Sequence, residues 1–228
     1  MDKQKIKKII LMCMVIISLK TCVWAKYTID FRQDIIQVNL DQTRPQITIS
    51  AIQNTNQGYE AYANQENTIV IQLKISEKIK QIEGINQDKI IIKVGNTSVI
   101  PTRFKIEKLE GNMQKIILQG IPGDGKLTIN VKKGAICDLV GWENEETNLF
   151  SGIYIDNSPP KVTFAKDTGA EGEGIGIVFV EEWIRPLEGW ECSEDKRTWK
   201  KVFGKEEVEF PIVTDFAGNK SGQEVRIE

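Results

Sequence analysis

The sequence predicts an all-β protein that consists of two antiparallel β-sandwiches in tandem behind an N-terminal signal peptide. Three observations predict this architecture: short segments of alternating hydrophobicity separated by turn residues, a phrase that occurs twice, and an apolar run behind a basic N-terminus. Of the 228 residues, 40% are hydrophobic, which is enough for one or two packed cores.

Residues 1–25 are predicted to be a secretory signal peptide. Four lysines among the first eight residues precede the apolar run Ile9–Leu19, and small or aliphatic residues favour cleavage after Ala25. An uncleaved membrane anchor is the alternative, but this run is shorter than the about 20 residues of a spanning helix. A lipoprotein signal at Cys22 fits less well, because the charged Lys20 precedes it. We therefore expect a secreted, extracellular protein, free or associated with the cell surface, with no stable membrane span after cleavage.

A phrase that occurs twice divides the mature chain. Residues 38–48 and residues 153–163 both run strand, Asp, small polar turn, Pro, strand. In each copy the Asp side chain caps the turn and the proline stops ladder pairing, so the phrase predicts a stiff joint between sheets. The predicted organisation is a signal peptide at 1–25, an N-terminal strand and linker at 26–43, a first sandwich at 44–157 and a smaller second sandwich at 158–228.

The first sandwich is predicted from strands with period-two alternation. Apolar and polar residues alternate along Ile69–Ile75, Ile90–Val94 and Leu127–Val131, and a short strand is expected at Gly152–Ile155. Such segments are typical of half-buried antiparallel strands.

Two connections of the first sandwich carry turn signals. Pro122 and the glycines of residues 121–126 predict a tight turn, so the strand at Ile117-Leu118 and the strand that starts at Leu127 are expected to form a hairpin. The stretch Ser76–Glu83 resembles a helix but ends at a glycine after about two turns, which predicts a loop or one short turn.

The second sandwich is predicted from five or six short strands in a smaller segment. A glycine-rich loop at 169–176 follows the first of them. The predicted strands are Lys161–Phe164, Ile177–Val180, a strand around Trp199–Phe203, Val208–Val213 and Glu224–Ile227. Several short β-branched strands with almost no helix favour a sandwich of two antiparallel sheets.

Several phrases within residues 44–228 resemble the bacterial immunoglobulin-like (Ig-like) modules of secreted and cell-surface proteins. The resemblance rests on residues 75–77, 123–129, 134–141 and 155–160 in the first module, and on 189–195, 198–201 and 213–220 in the second. It implies two tandem Ig-like sandwiches with an adhesive or structural role and an extracellular protein or glycan as partner. Trp142 stands where the second module has Asn219, which predicts a different turn geometry in the first module.

Composition excludes several other functions. Without residues 1–25 the net charge is about −6, which disfavours nucleic-acid binding. The chain has no His, so mechanisms that need an imidazole are absent. Cys137 and Cys192 are the cysteines of the mature chain, too few for a disulfide scaffold, and we expect two separate thiols.

The acidic turn residues are expected to be structural. Asp138 and Asp215 open Asp-x-x-Gly turns, and Asp41 and Asp156 lie in the repeated phrase. Carboxylates at joints suit Ca²⁺, but the dense alternation of a dedicated calcium loop is missing, so capping is the favoured role. The glycine-rich loop precedes a strand instead of a helix and therefore lacks the dipole of a phosphate cradle.

The aromatic and charged residues of the second module leave a glycan-binding alternative. Trp183, Trp190 and Trp199 are expected to fill the small core, but a flat exposed row of them would favour carbohydrate binding. The basic residues around the last of them are expected to form a solvated strand face, with contact to an anionic wall polymer as the alternative. They are Lys196, Arg197, Lys200 and Lys201.

No enzyme is predicted. Glu181 and Glu182 are neighbours on a predicted strand and point to opposite faces, so they do not converge on one bond. Neither cysteine has a histidine to activate it. We therefore predict no catalytic, cofactor-binding or metal-binding residues and no cofactor, and a secreted, non-enzymatic adhesion or structural interaction protein, with a carbohydrate- or wall-polymer-binding module as the alternative.

Overall fold

The structure, a computed structural model, describes residues 27–31, 34–38, 41–80, 84–205 and 207–221. The predicted signal peptide and the predicted strand Glu224–Ile227 lie outside these residues, as does the end of the stretch Ser76–Glu83. In the described part, no helix is long and apolar enough to cross a membrane.

The chain divides into two compact units, Met1–Arg44 and Pro45–Glu228. In the first unit, β1 (Tyr27–Phe31) and β2 (Asp34–Val38) form a two-stranded antiparallel sheet in which Tyr27 lies opposite Val38. The sequence analysis predicted one strand in this region, so the second strand is an addition.

The second unit begins with a β-sandwich of two sheets. One sheet has the strand order β3-β5-β9-β8 and the other the order β4-β11-β10-β6-β7. Only the pair β4 and β11 is parallel among these ladders. The strands are β3 (Ile47–Asn54), β4 (Tyr62–Ala63), β5 (Thr68–Ile75), β6 (Ile90–Val94), β7 (Thr97–Val99), β8 (Arg103–Lys108), β9 (Met113–Gln119), β10 (Gly125–Val131) and β11 (Thr147–Ile155).

The core of this sandwich lies between its two sheets. Ile71 and Leu73 of β5 are fully buried, and the register places Ile71 opposite Ile116 of β9. From the other sheet, Leu127 and Ile129 of β10 point into the same core. The predicted strands at Ile69–Ile75, Ile90–Val94, Leu127–Val131 and Gly152–Ile155 are therefore confirmed.

The predicted hairpin around residues 121–126 is wrong. Strand β9 belongs to one sheet and β10 to the other, so the connection crosses between sheets. Positive φ angles at Gly120, Gly123 and Gly125 allow the chain to change direction, and Ile121 is buried in the core on the way. The turn residues correctly predicted a change of chain direction. They do not determine whether the strand after the turn pairs with the strand before it or joins the opposite sheet.

The second sandwich has one complete sheet of order β12-β13-β15-β14. Phe164, Val178 and Trp199 from this sheet form a core cluster with Ile184 and Val213, which lie outside the named strands. The strands are β12 (Val162–Thr168), β13 (Gly174–Val180), β14 (Glu191–Cys192) and β15 (Thr198–Gly204). The fold class is therefore all-β with antiparallel sheets, consistent with Ig-like sandwiches.

The predicted strand Val208–Val213 is also wrong, because the structure assigns no strand there. Pro211 has no N–H to donate to a ladder, and the Val213 N–H is bonded to the Ser221 hydroxyl at 3.1 Å. Beyond this segment the opposing layer is held by isolated bridges, Ile184 with Asp215 and Thr214 with Lys220.

Candidate binding site at the junction of the two sandwiches

A buried polar network joins the two sandwiches. Asn56, only 5% exposed, belongs to the first sandwich, and its Nδ2 donates to the Phe216 carbonyl of the second at 2.8 Å. Arg185 of the second sandwich donates through Nη2 to the Asn56 Oδ1 at 2.5 Å and through Nε to the Asp215 carbonyl at 3.0 Å. Its guanidinium lies 4.6 Å from the centroid of the Tyr59 ring. The network satisfies buried donors and acceptors from both sides of the junction.

A second polar contact lies beside this network. Asn64 donates to the Asn219 Oδ1 at 3.2 Å, and Asn219 in turn donates to the backbone carbonyl of Asp156 at 2.9 Å. Gly218 has φ +97°, and an added Cβ there would lie 3.5 Å from the Asn64 Nδ2 of the first sandwich. The turn at Asp215 therefore approaches the first sandwich closely because a glycine stands at its tip.

An open cleft of about 560 Å³ lies at the junction and is mostly apolar. Phe216 is central to it, with ring centroids 4.8 Å from Tyr59, 5.5 Å from Tyr62 and 6.5 Å from Trp183. We call it the junction cleft, and its lining residues are Tyr59, Tyr62, Trp183, Ile184, Pro186, Cys192, Lys196, Trp199 and Phe216.

Positive charge surrounds the exposed aromatic ring of the junction cleft. Trp183 is 51% exposed, and the Lys196 Nζ lies 5.4 Å and the Arg197 guanidinium 5.8 Å from its ring centroid. Nearby, the Trp199 Nε1 and the Arg197 Nη1 are buried donors without a hydrogen-bond partner in the described part of the chain. An aromatic face flanked by cations suits a planar or sugar-like ligand that carries acidic groups.

The three tryptophans predicted as candidates have different environments. Trp199 is buried in the second core, and Trp190 is half-buried against the same core, so both confirm the structural expectation. Trp183 is exposed, but it forms no flat row with the other two. Its ring partner is instead Phe216, which in turn contacts Tyr62, and the sequence analysis missed both of these residues. The signal for Phe216 was its place at the tip of an Asp-x-x-Gly turn, where a large apolar side chain is unexpected.

The remaining basic and acidic candidates are distributed around the second sandwich. Lys200 is exposed, while Lys201 lies 5.1 Å from the Phe203 ring. Glu181 pairs with Lys161 at 3.4 Å on the surface, whereas Glu182 turns towards other carboxylates, so the two do not converge. Cys137 and Cys192 form no disulfide with each other, as expected.

Three carboxylates converge beside the junction and form what we call the acidic cluster: Asp156, Glu182 and Asp215. Each offers an oxygen within 4.8 Å of the others. Burial raises the pKa of Glu182 and of Asp156, and the charge of Asp215 raises both further. Oxygen ligands in this number could hold a hard cation such as Ca²⁺. The Asp215 carboxylate, however, already has protein partners for both of its oxygens.

Those partners confirm the predicted capping role. The Asp215 Oδ1 accepts the N–H groups of Gly218 and Asn219 at 2.7 and 2.9 Å, and Asp156 accepts that of Ser158 at 3.1 Å. Asp41 likewise accepts the Thr43 N–H at 3.0 Å.

The turn at Asp138 has the same form. Its Oδ1 accepts the N–H groups of Gly141 and Trp142 at 2.6 and 2.8 Å, and its own N–H donates to the Trp142 carbonyl at 2.9 Å. The Asp215 N–H donates to the Asn219 carbonyl at 3.0 Å in the same way. The predicted difference in backbone geometry between the two turns is therefore wrong, because these bonds involve only the backbone of Trp142 and of Asn219.

Comparison with known proteins places this chain in no family. No family model matches it, and no curated protein does. Among solved structures it is similar to a chimeric titin Z1Z2–Z1Z2 tandem functionalised with a GRGDS peptide from fibronectin, at 9% identity and a TM-score of 0.27, over 81% of this chain and 99% of that chain. A TM-score this low carries no argument, so the fold assignment rests on the sheets themselves. The bacterial Ig-like family remains a prediction from the sequence.

Proposed function

We propose that this chain is a secreted, non-enzymatic structural interaction protein whose two sandwiches act as one rigid body. The observation that carries the proposal is the network of Asn56 and Arg185. Because the buried Asn56 Oδ1 accepts from Arg185 of the second sandwich, a change in the relative orientation of the sandwiches would leave this oxygen unpaired. An unpaired buried acceptor costs about 1–3 kcal/mol, so the network favours a single orientation.

Small-angle scattering of the purified protein tests this rigidity. The wild-type profile is expected to fit one arrangement of the two sandwiches, and an Asn56→Ala variant is expected to need a distribution of arrangements. Lys93→Ala, on β6 of the first sandwich, is the matched control and should scatter like the wild type. A wild-type profile that itself requires many arrangements contradicts the proposal. Export is checked separately, by immunoblotting of culture medium and cell fractions.

One observation favours a more specific role in glycan binding. Trp183 presents an exposed ring that stacks against Phe216 at an interplanar angle of 25° and is flanked by Lys196 and Arg197. Sugar rings stack on such faces, and the two cations would select acidic sugars or anionic wall polymers. The junction cleft would then be the binding site.

Co-sedimentation with bacterial wall sacculi and insoluble polysaccharides tests this role. Trp183→Ala is expected to abolish pelleting, whereas Phe150→Ala, which removes another exposed aromatic ring from the first sandwich, should leave it unchanged. Binding through the two cations should weaken as the salt concentration rises. Pelleting that survives Trp183→Ala would refute binding at the junction cleft.

A further inference from the structure

One carboxylate oxygen of the first sandwich is buried without a partner. Asp138 is 1% exposed, and its Oδ1 accepts three backbone N–H groups, those of residues 140–142. Its Oδ2 is also buried, and no described residue donates a hydrogen bond to it. A buried carboxylate oxygen without a hydrogen-bond donor costs free energy, so a ligand bound to this oxygen would stabilise the site.

The second sandwich shows how the same oxygen is satisfied elsewhere. There, the Asn219 Nδ2 donates to the Asp215 Oδ2 at 2.8 Å. Trp142 stands at the corresponding place in the turn of the first sandwich and makes the same backbone bonds as Asn219, but it has no amide to donate. Because of this difference in side chain, the Asp138 Oδ2 has no hydrogen-bond donor among the described residues, whereas the corresponding Asp215 Oδ2 has one.

A second carboxylate lies close to that of Asp138. Glu77 offers an oxygen within 4.8 Å of an Asp138 carboxylate oxygen. The two chain segments are fixed together, since Ile79 forms a β-bridge with Asp138 and the Lys80 N–H donates to the Cys137 carbonyl at 2.8 Å. Both negative charges are thus held close by the backbone. A cation between them would both neutralise the pair and fill the open oxygen.

We propose that Glu77 and Asp138 hold a hard divalent cation, with Ca²⁺ as the ion of matching chemistry. All of the ligand atoms are oxygens, which Ca²⁺ prefers, and backbone carbonyls and water complete its usual six to eight ligands. Mg²⁺ demands a stricter octahedral geometry and gives up its water reluctantly, so it is the weaker candidate. The site goes beyond the proposed function, because it concerns the first sandwich alone and requires neither the junction cleft nor a partner.

Thermal unfolding of the metal-free protein, with CaCl₂, MgCl₂ or EDTA added, tests the site. At a CaCl₂ concentration a hundredfold above Kd, the Tm is expected to rise by about 5–10 °C. Glu77→Gln keeps the size of the side chain but removes its charge, and this variant is expected to lose the rise. A Tm that CaCl₂ leaves unchanged in the wild type, or a rise that Glu77→Gln retains, overturns the proposal.

A second variant separates the site from general charge effects. Trp142→Asn recreates the arrangement of Asn219 in the second sandwich, so it is expected to raise the Tm in EDTA and to remove the response to CaCl₂. An undiminished response in this variant would show that the Asp138 Oδ2 is not a ligand, which also overturns the proposal.

The acidic cluster provides the matched control. Glu182→Gln is the same substitution in the second sandwich. Adding Glu77→Gln to the Glu182→Gln variant is expected to reduce the CaCl₂-dependent rise in Tm by as much as Glu77→Gln reduces it in the wild type. If Glu77→Gln has no effect in the Glu182→Gln variant, the rise belongs to the acidic cluster, and the site at Asp138 is overturned.

Discussion

Replacing Arg185 with alanine tests how strongly the junction couples the two sandwiches. The change removes hydrogen bonds to the Asn56 Oδ1 at 2.5 Å and to the Asp215 carbonyl at 3.0 Å, together with the contact to the Tyr59 ring. Hydrogen bonds from a charged donor each contribute about 1.5–3 kcal/mol, and a cation–π contact at a partly exposed site about 0.5–1 kcal/mol. These terms share partners and water replaces some of them, so we expect a total of about 3 kcal/mol.

Differential scanning calorimetry and tryptophan fluorescence measure the loss. For a unit of this size, 3 kcal/mol corresponds to a decrease in Tm of about 6–12 °C. Because three of the five tryptophans, Trp183, Trp190 and Trp199, belong to the second sandwich, fluorescence reports mainly on that sandwich and its junction. We expect the fluorescence transition of the variant to move ahead of the calorimetric transition of the first sandwich, so that one transition becomes two.

Two further variants make the result specific. Arg185→Lys keeps the charge but not the planar fork that reaches two acceptors at once, so it should recover less than half of the loss. Arg103→Ala removes an exposed arginine from β8 and should change stability by less than about 0.5 kcal/mol. The reasoning fails if Arg185→Ala unfolds within 1 °C of the wild type and in the same single transition.

Three other predictions concern the acidic cluster, the turns and the core. Burial and the two neighbouring carboxylates raise the pKa of Glu182, so the folded state is stabilised when Glu182 is protonated. This stabilisation is lost as the pH rises through the raised pKa of Glu182. Urea unfolding in EDTA should therefore show Glu182→Gln more stable than wild type at neutral pH, with an advantage that shrinks below about pH 4. Gly218→Ala should cost more than Gly58→Ala in the same assay, because both have positive φ but only the added Cβ at Gly218 has neighbours within 4 Å; equal costs would contradict close packing at the junction. Ile71→Ala should destabilise by about 2–5 kcal/mol and Ile100→Ala, 88% exposed, by less than about 0.5; similar values would place Ile71 outside the core.

Local patterns predicted most strands of both sandwiches. The alternation in Ile69–Ile75 was sufficient because each buried side chain of a half-buried strand is followed by a more exposed one, and β5 shows this burial pattern. The capping Asp residues were also predictable, since their hydrogen bonds reach only two to four residues along the chain. The connection between β9 and β10 was not, because a turn sequence fixes the local φ angles and not the sheet in which the next strand pairs.

The candidate site was less predictable than the strands. Trp183 was a candidate from composition, but Tyr59 and Tyr62, which line the same cleft, come from the first sandwich, more than a hundred residues earlier. The unpaired oxygen of Asp138 appears only when its surroundings are compared with those of Asp215. In the sequence, that difference is a single substitution, Trp142 for Asn219.

The sequence alone determined the all-β class, the strands along which hydrophobic side chains alternate and the Asp-capped turns. These properties depend on the period of a strand and on hydrogen bonds between near neighbours, which a linear pattern contains. Only the tertiary structure decided that Arg185 meets Asn56, that Phe216 closes an aromatic cleft and that a carboxylate oxygen of Asp138 lies buried beside Glu77. Each of these depends on which segments, distant in the chain, pack against each other, and that choice is set by the packing of whole sheets.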